Sequence, residues 1–228
     1  EAERDCDNPL EALKAFKNAE FVVSMNAYVT DTMKSYASVI LPIACITEAS
    51  GTLINVDGTW QSFNAMSKAN GLAKPGWKVL RVMGNLFNLA DFDYQSSGDV
   101  LDELKATSDS IEINNQLNWA CPESFSAQTS GLQRIAELSI YNVDAVTRRA
   151  SALQKTRDAQ VEFATINSAL AKKLKFENAQ IITAKQGEYS VELALCIDDR
   201  IADNCVSLPA GSVAATSLGG GFEAIELN

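Results

Sequence analysis

The 228-residue sequence carries 29 acidic against 19 basic side chains, a net charge of −10. That excludes general nucleic-acid binding, which needs a positive surface to release counterions, and disfavours docking on an anionic membrane. With no histidine, Ser-His-Asp and Cys-His catalysis and His-ligated metals are excluded too.

The first residues are polar. Asn8-Pro9-Leu10-Glu11 then reads as a helix start, with Asn8 as N-cap, Pro9 at the first helical position and Glu11 reaching back. Leu10, Leu13 and Phe16 give the helix a buried stripe, and it should end near Asn18. Phe21 to Met25 is an apolar run that suits a buried parallel strand, with Asn26-Ala27-Tyr28 at its carboxyl end, where open α/β sheets place ligands. Thr30 caps a helix from Asp31 to Tyr36. Val39-Ile40-Leu41 is a second buried strand, stopped by Pro42, which has no N–H for a ladder. Helix, strand, helix and strand at this pitch predict Rossmann-like crossovers whose first strand is missing, so the chain, which starts at Glu1 without a methionine, is expected to be part of something longer.

Thr52-Leu53-Ile54 is a further short strand, followed by an Asn55-Val56-Asp57-Gly58 turn and then a polar loop from Ser62 to Pro75. Gly76-Trp77 opens an amphipathic helix with Trp77, Leu80, Met83, Leu86 and Phe87 on one face. Ser97 caps a short helix from Asp99 to Lys105, and residues 106–130, rich in Ser, Thr, Asn and Gln, read as an irregular connection. Asp158 to Phe176 looks helical, with Val161, Ala164, Leu170 and Leu174 as core candidates. Gln180 to Thr183, a Gln186-Gly187 turn, Tyr189 to Ile197, Cys205 to Leu208 and Glu223 to Leu227 are short strands with Gly-rich turns, the pattern of a small β-barrel.

Within this order, Ala37-Ser38-Val39-Ile40-Leu41-Pro42, Glu48-Ala49-Ser50-Gly51-Thr52 and Asn55-Val56-Asp57-Gly58-Thr59-Trp60-Gln61 resemble the molybdopterin-oxidoreductase superfamily. Its usual Arg after the Gly is replaced here by Thr59-Trp60, and its usual Glu by Asp57. Lys74-Pro75-Gly76-Trp77, followed by Leu80, is similar to a helix start of the same superfamily. A second stretch, Ile140-Tyr141, Asp144-Ala145, Arg148-Arg149-Ala150, Leu153-Gln154 and Thr156, resembles the large iron–sulfur subunit of bacterial NADH:quinone oxidoreductase, respiratory complex I.

These resemblances imply an α/β protein with two parts. Residues 1–130 would form a Rossmann-like molybdopterin-oxidoreductase-type domain, truncated at its start. Residues 131–228 would form a linker and a C-terminal β-barrel domain of double-psi type. The subunit resemblance implies a scaffold portion that supports electron transfer from NADH to quinone without a redox centre of its own. Iron–sulfur clusters would sit in an earlier part of the subunit, and the partners would be other subunits of the complex I peripheral arm, on the cytoplasmic side of the bacterial inner membrane. The alternative is part of a molybdenum or tungsten pterin oxidoreductase such as a formate dehydrogenase.

Individual residues are weighed against plainer roles. Glu48 is a candidate acid near a strand end, or a turn or cap residue. Asn26 and Tyr28 lie where a nucleotide arm would pass, or pack on their own loop. Arg148 and Arg149 have forked donors for phosphate or carboxylate, or form ion pairs with the acids around Asp144 and Glu137. Gly219-Gly220-Gly221 is not a P-loop, because no Gly-Lys-Ser/Thr follows. Trp60 and Trp77 read as core anchors, and Cys45 as a small buried hydrophobe. The five cysteines (Cys6, Cys45, Cys121, Cys196 and Cys205) are odd in number and scattered without a C-x-x-C, which points to a reducing compartment and away from clustered metal ligands. No residue of the chain is expected to serve as catalyst, cofactor ligand or metal ligand.

Overall fold

The computed structural model describes residues 1–108, 110, 111, 114, 116, 119–121 and 131–228. In chain order its elements are α1 (Ala2–Asp5), α2 (Pro9–Asn18), β1 (Val23–Asn26), α3 (Asp31–Tyr36), β2 (Val39–Pro42), β3 (Gly51–Ile54), β4 (Trp60–Phe63), α4 (Gly76–Leu86), α5 (Ser97–Ser108), β5 (Leu132–Ile135), β6 (Phe163–Ile166), α6 (Ser168–Leu174), β7 (Ile181–Gln186), β8 (Tyr189–Ile197), β9 (Cys205–Ser207) and β10 (Ala224–Leu227). They fall into two compact units. The first takes Glu1–Glu20, Thr30–Tyr36 and the described residues from 131 onward; the second takes Phe21–Val29 and residues 37–121.

The first unit is built on a closed six-stranded barrel in the order β10-β5-β9-β6-β8-β7. β5 runs parallel to β9 and β6 parallel to β8, while the other neighbours are antiparallel. Exchanging β5, β6 and β7 with β8, β9 and β10 leaves every pairing unchanged, so the barrel consists of two equivalent three-stranded halves. Closure removes the open sheet edges that would otherwise invite association. The interior is filled by Ala164, Ile166, Val206, Leu208 and Ala184, all fully buried, with Ile182 and Ile225 beside them. The β7–β8 hairpin pivots on Gly187, whose φ of +58° is costly for a residue with a Cβ, so the expected Gln186-Gly187 turn is present.

The N-terminal helices belong to this unit. Asn8 Oδ1 accepts from Glu11 N at 3.1 Å, the predicted cap of α2, and Thr30 Oγ1 accepts from Met33 N at 3.0 Å to cap α3. The Phe16 and Tyr36 rings stack at 4.8 Å, and α2 packs on the 3-10 turn Ala214–Ser217.

The expected helix from Asp158 to Phe176 is a correction. The chain makes a 3-10 turn at Arg157–Ala159, then β6, then the short α6. Phe163 to Ile166 pair with Ala194 to Ile197, and that ladder, with burial of Ala164 and Ile166, outweighs the helical spacing of the apolar residues. Asn167 then caps α6 through its side chain, accepting from Leu170 N at 2.8 Å. β5 falls where no strand was expected, because its run is interrupted by Gln133 and Arg134.

In the second unit, β1 and β2 form a parallel pair, Val23 to Asn26 beside Val39 to Pro42. Of the expected wider Rossmann-like sheet, the described residues hold this pair. β3 and β4 form an antiparallel hairpin around a turn in which Asn55 Oδ1 accepts from Asp57 N and Thr59 N. The polar loop expected from Ser62 therefore begins inside a strand, because Ser62 and Phe63 pair with Thr52 and Gly51 in the hairpin ladder. It ends in another ladder contact, with Ala44 N donating to Lys74 O at 2.9 Å. α5 starts at Ser97, earlier than expected, and reaches Ser108. The irregular connection expected at 106–130 lies largely outside the described residues.

Candidate functional site

The carboxyl end of the β1–β2 pair brings together four residues singled out from the sequence. Asn26, the last residue of β1, turns its Oδ1 to accept from Tyr28 N at 3.3 Å, and its backbone carbonyl accepts from Ile43 N at 3.1 Å. The Cys45 thiol lies 3.5 Å from the Tyr28 hydroxyl. Cys45 precedes the 3-10 turn Ile46–Glu48, and Glu48 Oε2 reaches back to accept from Cys45 N at 3.1 Å. Glu48 is therefore a capping residue, the plainer of its two roles. Cys45 is half-buried rather than a core hydrophobe.

A phosphate-bearing cofactor arm needs cations or outward backbone donors. Here the polar groups answer one another and the one charged member, Glu48, is an anion. These four residues do not fit such an arm.

Arg148 and Arg149 sit in a second cluster, in the barrel unit. Arg148 Nη1 bonds Glu1 Oε2 at 2.9 Å, Arg148 Nη2 pairs with Asp5, and Arg149 Nη2 pairs with Glu1. Arg148 Nε also donates to the Asp144 carbonyl at 3.0 Å, and Arg149 Nη1 to the Ala145 carbonyl at 2.9 Å. The two arginines do form ion pairs, but with Glu1 and Asp5 at the other end of the sequence and not with the expected acids around Asp144 and Glu137. The Asp144 carboxylate accepts from Val146 N at 2.7 Å and Thr147 N at 2.9 Å, and the Thr147 bond above all holds it below the usual carboxylate range. Gln154 Nε2 donates to the carbonyls of Tyr141 and Thr147, both at 2.9 Å. The residues of the 140–156 motif thus tie a run of 3-10 turns together.

The sequence reading missed a buried charge in the barrel. Arg134, 3% exposed, donates through Nε to Leu208 O at 3.2 Å and through Nη1 to Gly219 O at 3.1 Å and Gln186 Oε1 at 3.2 Å. Gln186, 5% exposed, passes its amide on to Gly220 O and Ala224 O. Burial pulls the Arg134 pKa down, and Asp7 and Glu223 oppose that pull. The glycine run is thereby a loop whose carbonyls receive an arginine and a glutamine. A Cβ on Gly221 would stand 2.8 Å from that of Ala136, so the tight run needs glycine there. The available signal was a single arginine inside a four-residue run with apolar ends, Leu132 to Ile135.

Trp60 and Trp77, expected as core anchors, are half-buried instead. They line a cavity of about 210 Å³ with Gly51, Thr52, Leu101 and Leu104. Lys105 Nζ lies 5.8 Å from the Trp60 ring, a cation–π contact. Among the described residues no group of three or more Cys, Asp or Glu is placed to hold a metal ion, and no helix is long and apolar enough to cross a membrane.

Comparison with known proteins gives a consistent direction. Residues 5–86 match the family described as Molybdopterin oxidoreductase. The assimilatory nitrate reductase catalytic subunit of Bacillus subtilis (strain 168) is 28% identical over 124 residues, covering 49% of this chain and 17% of that protein. The F420-dependent formate dehydrogenase 2 subunit alpha of Methanococcus maripaludis is 30% identical over 92 residues, covering 40% of this chain and 14% of that one. Among solved structures, acetylene hydratase from Pelobacter acetylenicus superposes with a TM-score of 0.62 at 16% identity, covering 94% of this chain and 37% of that chain, a likeness of fold. The chain spans less than a fifth of the length of these two sequence relatives. Neither is a subunit of an NADH:quinone oxidoreductase, the enzyme that the 140–156 stretch resembles.

Proposed function

We propose that this chain is a structural portion of an oxidoreductase of molybdopterin type, of the kind that its formate dehydrogenase and nitrate reductase relatives represent. The observation that carries this reading is the family match over residues 5–86, which runs through β1, α3, β2, the β3–β4 hairpin and α4. In this reading the β1–β2 pair is part of a Rossmann-like sheet. The barrel, with its two exchangeable halves and its parallel β5–β9 and β6–β8 pairs, is of double-psi type. The chain's own groups do mechanical work: Arg134 and Gln186 lock the glycine loop to the barrel, and Glu48 and Asn26 close the turns after β1 and β2. The redox cofactor is held by residues other than these.

A second reading rests on one observation, the Ile140 to Thr156 stretch. It makes the chain a scaffold portion of the large subunit of an NADH:quinone oxidoreductase. The chain would then support electron flow from NADH to quinone, pack on other subunits of the peripheral arm, and lie on the cytoplasmic side of the inner membrane.

The test is made on the purified whole protein that contains this chain. Pterin content is read from its fluorescent oxidation product, alongside formate oxidation and nitrate reduction with a viologen dye and NADH oxidation with a quinone. Stoichiometric pterin with turnover of formate or nitrate supports the first reading. NADH–quinone turnover without pterin overturns it in favour of the second, and no redox activity of any kind overturns both.

A further inference from the structure

The chain has a single Asn-Gly pair, Asn70-Gly71, and a single Asn-Ser pair, Asn167-Ser168. Both place a small residue after asparagine, which favours attack of the following backbone nitrogen on the side-chain amide carbon. The structure treats the two pairs oppositely. Asn167 is 6% exposed and both ends of its amide are engaged: Oδ1 accepts from Leu170 N at 2.8 Å, and Nδ2 donates to Asp203 Oδ1 at 2.8 Å and to Ile201 O at 3.2 Å. The Ser168 N–H, which would have to attack, donates to Asp199 Oδ1 at 2.8 Å. Asn70 and Gly71 instead stand exposed between β4 and α4, in a turn closed by Ala73 N donating to Asn70 O at 3.1 Å. Neither the Asn70 side chain nor the Gly71 N–H has a hydrogen-bond partner among the described residues. Gly71 has a φ of +55°, and a Cβ there would meet nothing within 4 Å, so the space around the pair is open.

We propose that Asn70 is a site of spontaneous deamidation and isoaspartate formation in the folded protein. Gly71 N bonds to Asn70 Cγ, the Cγ–Nδ2 bond breaks, and the amide nitrogen leaves as ammonia with the Gly71 proton. The product is a five-membered cyclic imide. Solvent water then opens the ring at either carbonyl, to aspartate or to isoaspartate. No oxidant or reductant enters, and water is the only co-reactant. The step needs freedom of the asparagine side chain and of the next amide, which hydrogen bonds remove at Asn167 and leave at Asn70. Either product adds a carboxylate to a chain whose net charge is already −10. Isoaspartate also adds one carbon to the main chain just before Lys74, whose carbonyl accepts from Ala44 N at 2.9 Å. The site is independent of which oxidoreductase the chain serves.

The experiment ages the purified whole protein that contains this chain in mildly alkaline buffer, folded and in parallel unfolded in urea. Peptide mapping by mass spectrometry follows the gain of one mass unit at each asparagine, and an isoaspartate-specific methyltransferase with labelled S-adenosylmethionine identifies isoaspartate in the peptides. In the folded protein the Asn70 peptide is expected to convert at least tenfold faster than the Asn167 peptide, into both products. Urea should speed Asn167 by a larger factor than Asn70, because only Asn167 has bonds to lose. Asn70→Gln, whose longer side chain would have to close a six-membered ring, should lower conversion at that position at least tenfold. Conversion at Asn70 no faster than at Asn167 in the folded protein, a gain on unfolding at Asn70 as large as that at Asn167, or undiminished conversion in the Asn70→Gln protein each overturns the proposal.

Discussion

The barrel unit and the parallel-strand unit differ in how they bury their apolar side chains. Among the described residues every buried hydrophobic side chain lies in the barrel unit, from Met33 to Leu227. The parallel-strand unit has apolar sequence in plenty, yet its Leu53, Ile54, Val82 and Leu86 are about half exposed or more, and Gly84 is the one buried residue among those described in it. A closed barrel satisfies its own backbone and encloses its own core. A parallel pair does neither, since parallel sheets are stable when covered on both faces and two strands alone are marginal in water. The lesson is that apolar content makes a core only where topology closes around it.

The sharpest way to break this contrast is a matched pair of truncations. Leu208→Ala, at a fully buried position, is expected to cost about 3 kcal/mol through lost burial and the cavity left behind. Leu53→Ala, at a position 56% exposed, should cost less than about 0.5 kcal/mol. Denaturant melts of both variants decide it, and equal costs would erase the distinction between the units. Hydrogen exchange gives the same comparison without mutation: barrel amides should be protected longer than those of β1 and β2.

Next in size is the buried arginine. Arg134→Met keeps the length of the side chain and removes its donors, leaving Leu208 O, Gly219 O and Gln186 Oε1 without their partner. The expected loss is about 2–3 kcal/mol, confined to the barrel transition. If the melt is unchanged, the glycine loop is held by packing alone.

What the sequence disclosed follows the same line. The caps at Asn8 and Thr30 were legible because capping is a local competition between one side chain and the next turn. The β7 and β8 strands were legible from short range too, through alternation and a glycine at the turn. β6 was not, because its strand character comes from a ladder to Ala194–Ile197, about thirty residues away, that no local period reports. Of the candidate residues, Asn26 and Tyr28 were placed at one strand end, but that Glu48 and Cys45 come beside them was not legible, and their bonds run to one another. Arg134 was invisible because its partners are backbone carbonyls at Leu208 and Gly219, and carbonyls have no sequence signature.

In the open unit, Gly84 offers a smaller test. An alanine normally favours a helix interior over glycine by about 1 kcal/mol. Here a Cβ would fall 2.1 Å from the Phe92 ring. Gly84→Ala should therefore destabilise by about 1 kcal/mol instead, and the same change in a Phe92→Ala background should regain the helical preference. A stabilising Gly84→Ala in the wild-type background would mean that Phe92 moves aside at no cost and that the unit has no tight spot.

The smallest expected effect returns to the barrel unit and separates charge from geometry. The Asp144 carboxyl is held below the ordinary carboxylate value by its bonds from Thr147 and Val146 and by the nearby Arg148. A carboxyl depressed in the folded state contributes stability that is fully present above its unfolded pKa, about 3.9, and is lost as pH falls through the lowered folded value. Asp144→Asn keeps an oxygen that can accept from the same two amides but carries no charge. The variant should be slightly less stable than the wild type at pH 7, and the two denaturant midpoints should converge as the pH drops below 4. A gap that stays constant across that range would mean that the amide bonds alone fix the turn, and that the arginine pair beside it draws its hold from Glu1 and Asp5 alone.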